Sequence, residues 1–238
     1  MTQPPTGYEL KWSDEFDGDA LDRNKWDFRT DSKMWSTQQP GNVSVSGGYL
    51  RLAVKKESAG GMQYTGAGVI SKQVFRFGYY ETRMKVPPGA GWHTSFWMMW
   101  HNGKGGTDTA QACQELDVIE NDSLHKHKYG VNVHQWKGDH FCLGHKDIET
   151  PDLSADFHVF GCEFTADSVK YSFDGDLVQS VDLARAGKKD GTPVVFETGG
   201  QHIWLTTIAT YLGDTKAVDD SALPSAALFD YVRFYERK

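Results

Sequence analysis

From Val43 onward the chain is written in short runs in which apolar and polar residues alternate, each run closed by glycine, proline or aspartate. Alternation with a period of two sends successive side chains to opposite faces of a strand, whereas a helix needs apolar residues three and four apart. Two pairs of runs carry hairpin signals: Gly47-Gly48 separates residues 43–46 from 49–54, and Asp174-Gly175-Asp176 separates 169–173 from 177–181. Further runs cover residues 69–72, 77–86, 95–100, 115–120, 129–136, 157–164, 203–211 and 229–235, and Pro87-Pro88-Gly89 stops the second of them. Helical periodicity is confined to residues 21–26 and 183–188, each long enough for one turn. Roughly ten or more short strands, with no repeat or linker between them, predict an all-β sandwich. We expect residues 1–238 to form one domain.

A chain of 238 residues buries a full core without disulfide staples. Its net charge of −7 argues against nucleic acid or an anionic membrane surface as partner, because both demand a clustered positive field. The longest strongly apolar stretch, residues 96–100, is far too short to cross a bilayer. The first residues show no charged segment followed by an apolar run, so no signal peptide is read from them. Cys113, Cys142 and Cys162 are too few for a disulfide framework and leave open one pair or three free thiols. Aromatic residues are the unusual feature: 8 Trp, 10 Tyr and 13 Phe, and an indole face suits the flat apolar side of a sugar ring.

The chemistry concentrates in Glu115-Leu116-Asp117-Val118-Ile119-Glu120. On a regular strand Glu115 and Asp117 share a face and Glu120 points away from it. A β-bulge at Val118-Ile119 would return Glu120 to their side and leave the apolar residues in the core. Neighbouring carboxylates repel and raise one another's pKa, which makes them poor structural elements. A retaining glycosidase uses that coupling, since it needs one ionised carboxylate and one protonated carboxyl about 5–5.5 Å apart. The plain alternative is a solvated edge strand decorated with acids.

These residues and seven further blocks resemble glycoside hydrolase family 16. The blocks are residues 12–18 (WSDEFDG), 39–52, 68–72, 77–85 (FGYYETRMK), 92–97 (WHTSFW), 157–175 and 229–235, with 115–120 matching the bulge-type Glu-x-Asp-x-x-Glu. The resemblance implies a concanavalin-type β-jelly-roll sandwich of two antiparallel sheets with an open concave substrate groove. It implies a retaining endo-β-glycosidase acting on internal β-1,3 or β-1,4 linkages of a β-galactan or β-glucan. Glu115 would be the nucleophile, Glu120 the acid/base and Asp117 the assisting acid. No cofactor is implied for catalysis, but a structural Ca2+ is, held by Glu15, a backbone oxygen near Gly48, and Asp230. The polysaccharide would be the partner, the chain a monomer, and the compartment secreted or periplasmic by substrate class. His93-Thr94 replaces the usual Pro-Ala after the first tryptophan, and residues 64–72 and 130–134 look closer to agarase-like members, which favours a galactan.

Trp92 and Trp97 fall in a block that lines the cleft, and Trp35 and Trp136 are further stacking candidates beside ordinary core packing. His134 is expected either to contact the sugar or the acid/base or to be a satisfied structural histidine. His125, His127, His134, His140 and His145 crowd around Cys142, yet give neither a Cys-x-x-Cys knuckle nor a His-Glu-x-x-His helix. A polar loop on the groove rim is therefore preferred to zinc. Two other functions share these features: a transglycosylase with the same acids, and a non-catalytic lectin-like sandwich, which would not need the acid triplet.

Overall fold

The computed structural model describes residues 6–138, 140–183, 188–189, 192–193, 196–210 and 218–238. Nearly all of its strands form two sheets packed face to face, and Lys188–Lys189 pairs with Thr192–Pro193 as a separate two-stranded ribbon. The outer sheet runs Asp176–Asp182, Ser168–Phe173, His158–Phe164, Gly78–Lys85, Ser225–Arg237, Tyr49–Val54, Val43–Ser46, with Tyr8–Asp14 added beside Ser225–Arg237. The inner, concave sheet runs Phe141–Glu149, Lys128–Gln135, Gln114–Asp122, Trp92–Met99, His202–Ala209, Tyr64–Ser71, Ser36–Gln38, Ser32–Lys33. One short strand pair in it is parallel, Ser36–Gln38 on Tyr64–Ser71. The architecture is the all-β sandwich that the alternating runs predict and the jelly roll that the family resemblance implies.

The core lies between the sheets and is filled from alternate positions of both. Leu50, Leu52, Tyr80, Phe160, Phe229 and Phe234 come from the outer sheet, and Val69, Phe96, Met98, Leu116 and Val133 from the inner one. Burying a large side chain of this kind is worth about 1.5–3 kcal/mol, so this layer dominates the stability of the fold. Gly47 and Gly48 both adopt positive φ in the turn before Tyr49, a conformation that a Cβ disfavours.

The helical turn expected at residues 21–26 is a single turn that goes no further. The backbone N–H groups of Lys25 and Trp26 bond to Asp22 O, and Trp26–Phe28 then enters the sheet. Trp26 is fully buried, with its indole N–H on Asp14 Oδ2 at 2.7 Å, so sheet packing overrides local periodicity. The turn expected at residues 183–188 falls largely outside the described residues. Cys113, Cys142 and Cys162 are all free thiols.

Candidate active site

Gln114–Asp122 sits in the middle of the concave sheet, between Trp92–Met99 and Lys128–Gln135. Its register is regular from Gln114 to Asp117 and then slips. Asp117 faces Asn132 and Glu120 faces Gly130, so three steps on one strand oppose two on the other. Against the other neighbour, Asp117 faces Trp97 and Ile119 faces Phe96. The extra residue is Val118. Because Leu116, Val118 and Ile119 are all apolar and all go to the core, the strand must bulge, and the bulge returns Glu120 to the side of Glu115 and Asp117. All three acids line one hollow of about 240 Å³.

Their partners differ. Trp136 Nε1 donates to Glu115 Oε2 at 2.7 Å. Asp117 is almost fully buried, and its Oδ2 lies 3.3 Å from His134 Nε2 without a formed hydrogen bond. Glu120 has His93 Nε2 3.4 Å away. Burial, then the charge of Asp117, pushes Glu115 up to about 8, against the opposing pull of His134 and the Trp136 N–H. Burial, then the charge of Glu120, raises Asp117 well above the usual carboxylate range. Burial also opposes the charge on Glu120, but the His93 contact and the charges of His93, His134 and His145 outweigh it and leave Glu120 low. In the free cleft a proton therefore favours the Glu115–Asp117 end.

The strand Trp92–Met99 separates its two tryptophans by parity. His93, Ser95, Trp97 and Met99 face the hollow, while Trp92, Phe96 and Met98 face inward. Trp97 forms the floor, stacked on Trp204 at 4.7 Å with its N–H on Thr206 Oγ1 at 3.3 Å. Trp92 is 0% exposed, packed among Val54, Ala209 and Val218, with its N–H on Pro87 O. It cannot touch sugar, and five residues from Trp97 on a regular strand it had to face the other way. Trp35 is only half-buried against that same cluster and lies beside Lys33 and Met34, which line the hollow, without lining it itself. Trp136 lines the hollow, and His134 stands beside Asp117 and is stacked with Trp136.

Arg29, His93 and Thr206 also line the hollow and were not singled out from the sequence as site residues. Arg29 is 4% exposed, held by Asp31 through contacts of 2.6 and 3.1 Å, and its guanidinium lies 5.9 Å from the Trp97 ring. The Arg-x-Asp spacing hinted at that pairing. His93 had a signal too, as the departure from Pro-Ala.

Glu15, Gly48 and Asp230 do meet, around a hollow of about 550 Å³ on the outer sheet. Arginines fill the role expected of calcium. Arg233 grips Glu15 through Nε at 3.0 Å and Nη2 at 2.6 Å, and Arg83 Nη1 reaches Asp230 Oδ2 at 2.7 Å. Calcium needs six to eight oxygen ligands, whereas the carboxylates of Glu15 and Asp230 are each already engaged by a guanidinium group. As arranged, the site does not fit the ion.

An open groove on the concave face of a jelly roll, floored by three acids and flanked by indoles, defines a glycoside hydrolase. The chain belongs to glycoside hydrolase family 16: residues 9–237 match the GH16 domain of the β-porphyranases A–D. It is 28% identical over 244 residues to a β-glucanase of Rhodothermus marinus, spanning 96% of this chain and 85% of that one. It is 31% identical to β-porphyranase E of Zobellia galactanivorans over 69% of this chain and 65% of that relative. The laminarinase catalytic domain of Thermotoga maritima superposes with a TM-score of 0.81 at 25% identity, covering 97% of this chain and 99% of that one.

Proposed function

We propose that this hydrolase is a retaining endo-β-glycosidase that cuts inside a β-galactan, with Glu115 as nucleophile, Glu120 as acid/base and Asp117 as the assisting acid. One observation carries the reading: the bulge at Val118 sets Glu120 in the same hollow as Glu115 while Val118 and Ile119 stay in the core. The galactan is supported by the match to the porphyranase domain. A β-glucan is the second reading, supported by the similarity to the Rhodothermus β-glucanase. Residues 1–238 are taken as one catalytic unit acting as a monomer in a secreted or periplasmic compartment.

Glu115 attacks the anomeric carbon while Glu120 gives its proton to the departing glycosidic oxygen. The resulting glycosyl ester is then cleaved by water, from which Glu120 takes a proton, and the configuration is retained. These roles require the charge on Glu115 and the proton on Glu120, the reverse of the free cleft. Asp117 resolves the conflict. Buried and raised well above the usual carboxylate range, it can hold a proton, and a neutral Asp117 no longer repels charge on Glu115. Glu115 then ionises against the Trp136 N–H, and sugar filling the cleft strips water from Glu120 beside that new charge, which raises it.

Incubation with porphyran, agarose, κ-carrageenan, laminarin and mixed-linkage glucan, with sizing of the products, tests the substrate. Mid-sized oligosaccharides from a galactan are expected; cleavage of laminarin alone moves the assignment to glucans. Azide sorts the acids. A Glu115→Ala variant should yield an inverted glycosyl azide and Glu120→Ala a retained one, and near-normal cleavage by either rejects the roles.

A further inference from the structure

Three side chains at the edge of the cleft converge on one point to which the proposed reaction assigns no role. His134 Nδ1 lies 3.0 Å from His140 Nε2 and 3.0 Å from Cys142 Sγ, and the three donor atoms fall within 4.8 Å of one another. A tetrahedral zinc ion, with bonds of about 2.0–2.1 Å to nitrogen and about 2.3 Å to sulfur, holds such donors roughly 3.3–3.6 Å apart. The two pairs that include His134 need to separate by only a few tenths of an ångström to admit one.

The positions are set by the fold. His134 and Cys142 are direct cross-strand partners on Lys128–Gln135 and Phe141–Glu149. His140 comes from the connection between those strands, its ring stacked on Trp136 at 4.1 Å and on His134 at 5.3 Å. His140 and Cys142 are exposed, so an ion has access from solvent. Two imidazoles and a thiol select a borderline or soft ion and reject calcium and magnesium, which take oxygen.

A second observation points the same way. Asp117 Oδ2 is buried, lacks a formed hydrogen bond, and faces His134 Nε2 at 3.3 Å. A histidine that ligates a metal through one ring nitrogen characteristically gives the other N–H to a carboxylate. In the metal-free chain Asn132 Nδ2 sits 2.9 Å from that same Nε2, which puts the ring proton on Nδ1. An ion on Nδ1 moves the proton to Nε2 and turns it toward Asp117, with the Asn132 amide rotated to match.

We propose that His134, His140 and Cys142 bind one zinc-like ion at the cleft rim and that this ion inhibits the enzyme. Binding releases the thiol proton to solvent as the Cys142–metal bond forms. The ion then stands against Trp136, whose indole holds Glu115, and ties His134 to Asp117. The inhibitory consequence rests on the glycosidase reading; the binding does not.

Cobalt(II) tests the site without reference to activity. The whole chain is expected to take one Co2+ and show a near-ultraviolet thiolate-to-cobalt band. Cys142→Ser should abolish the band, and His140→Ala should weaken binding by more than the roughly 10–100-fold that loss of an outer partner costs. Zinc should suppress glycan cleavage reversibly, with restoration by a chelator, and Cys142→Ser should cleave at the same rate with and without zinc. Absence of the band, or a band that survives in Cys142→Ser, overturns the site. Zinc inhibition unchanged in Cys142→Ser overturns its inhibitory role. A chain that shows the band but cleaves none of the glycans would instead reject the glycosidase reading.

Discussion

The indole N–H of Trp136 donates a 2.7 Å hydrogen bond to Glu115 Oε2. One side chain thereby serves the hollow twice, with its edge holding Glu115 and its ring lining the wall. Trp136→Phe keeps a flat ring and removes the donor. The bond favours the ionised carboxylate, so its loss lets Glu115 rise further above the value to which burial and Asp117 already lift it. The acidic limb of kcat/KM should move to higher pH. A hydrogen bond to a charged group is worth about 1.5–3 kcal/mol, so kcat should fall about 10–100-fold. A pH profile of the variant checks this; an unmoved limb with only KM raised would make Trp136 a platform and nothing more.

How far the residues themselves announced this arrangement depends on distance along the chain. The bulge was legible because Val118 and Ile119 stand side by side where alternation allows only one of them into the core. The parity that separates Trp92 from Trp97 was legible too, but the family block assigned both to the cleft and hid it. Arg29 and Thr206 could not be read, because only the sheet order brings them beside residues 93–120. Likewise His134, His140 and Cys142 form no local motif, and the register of one strand pair makes them neighbours. Glu15 and Asp230 were put in the right place, but their arginine partners were not foreseen, since Arg83 and Arg233 reach them across strands.

His93 is the groove's departure from the Pro-Ala block, and it stands 3.4 Å from Glu120. Burial opposes the Glu120 charge, but the His93 contact is first among the influences that favour it, and Glu120 ends low. A low acid loses its proton early, which pulls down the basic limb of the free enzyme's profile. His93→Asn removes that contact, so Glu120 should rise and the basic limb of kcat/KM should shift upward. Kinetics across pH with an unsubstituted substrate measures it. A basic limb that stays in place would show that another group controls the fall.

Asp117 and Glu115 make the cleft a liability for folding as pH rises. Both hold their proton in the folded chain at pH values where the unfolded chain has lost it. The stability they contribute is full below the unfolded pKa and is lost as pH climbs, for Glu115 between 4.5 and about 8. Asp117→Asn is neutral throughout and escapes that loss. Its melting temperature should exceed that of the unsubstituted chain at pH 8 and match it near pH 4, with each kcal/mol worth about 2–4 °C in a chain of this size. Cleavage should fall in the same variant. Equal melting temperatures at both pH values would mean that the buried carboxyl ionises freely.

The outer-sheet hollow yields the last expectation, because a guanidinium and a calcium ion compete for the same charge. Arg233 holds both oxygens of Glu15, whose carboxyl is lowered first by that hydrogen bond, and the pairing raises Arg233 well above its ordinary value. With Arg83 on Asp230, the acids are already neutralised from within the chain. Neither a chelator nor added calcium should change the melting temperature. Arg233→Gln leaves Glu15 unbalanced, and a well-formed pair at this exposure is worth about 1 kcal/mol, so a drop of about 2–4 °C should follow. The freed acids should then acquire a response to calcium that restores part of the loss. Thermal melts of both chains with EDTA and with millimolar calcium decide the matter, and calcium stabilisation of the unsubstituted chain would show that the arginines give way to the ion.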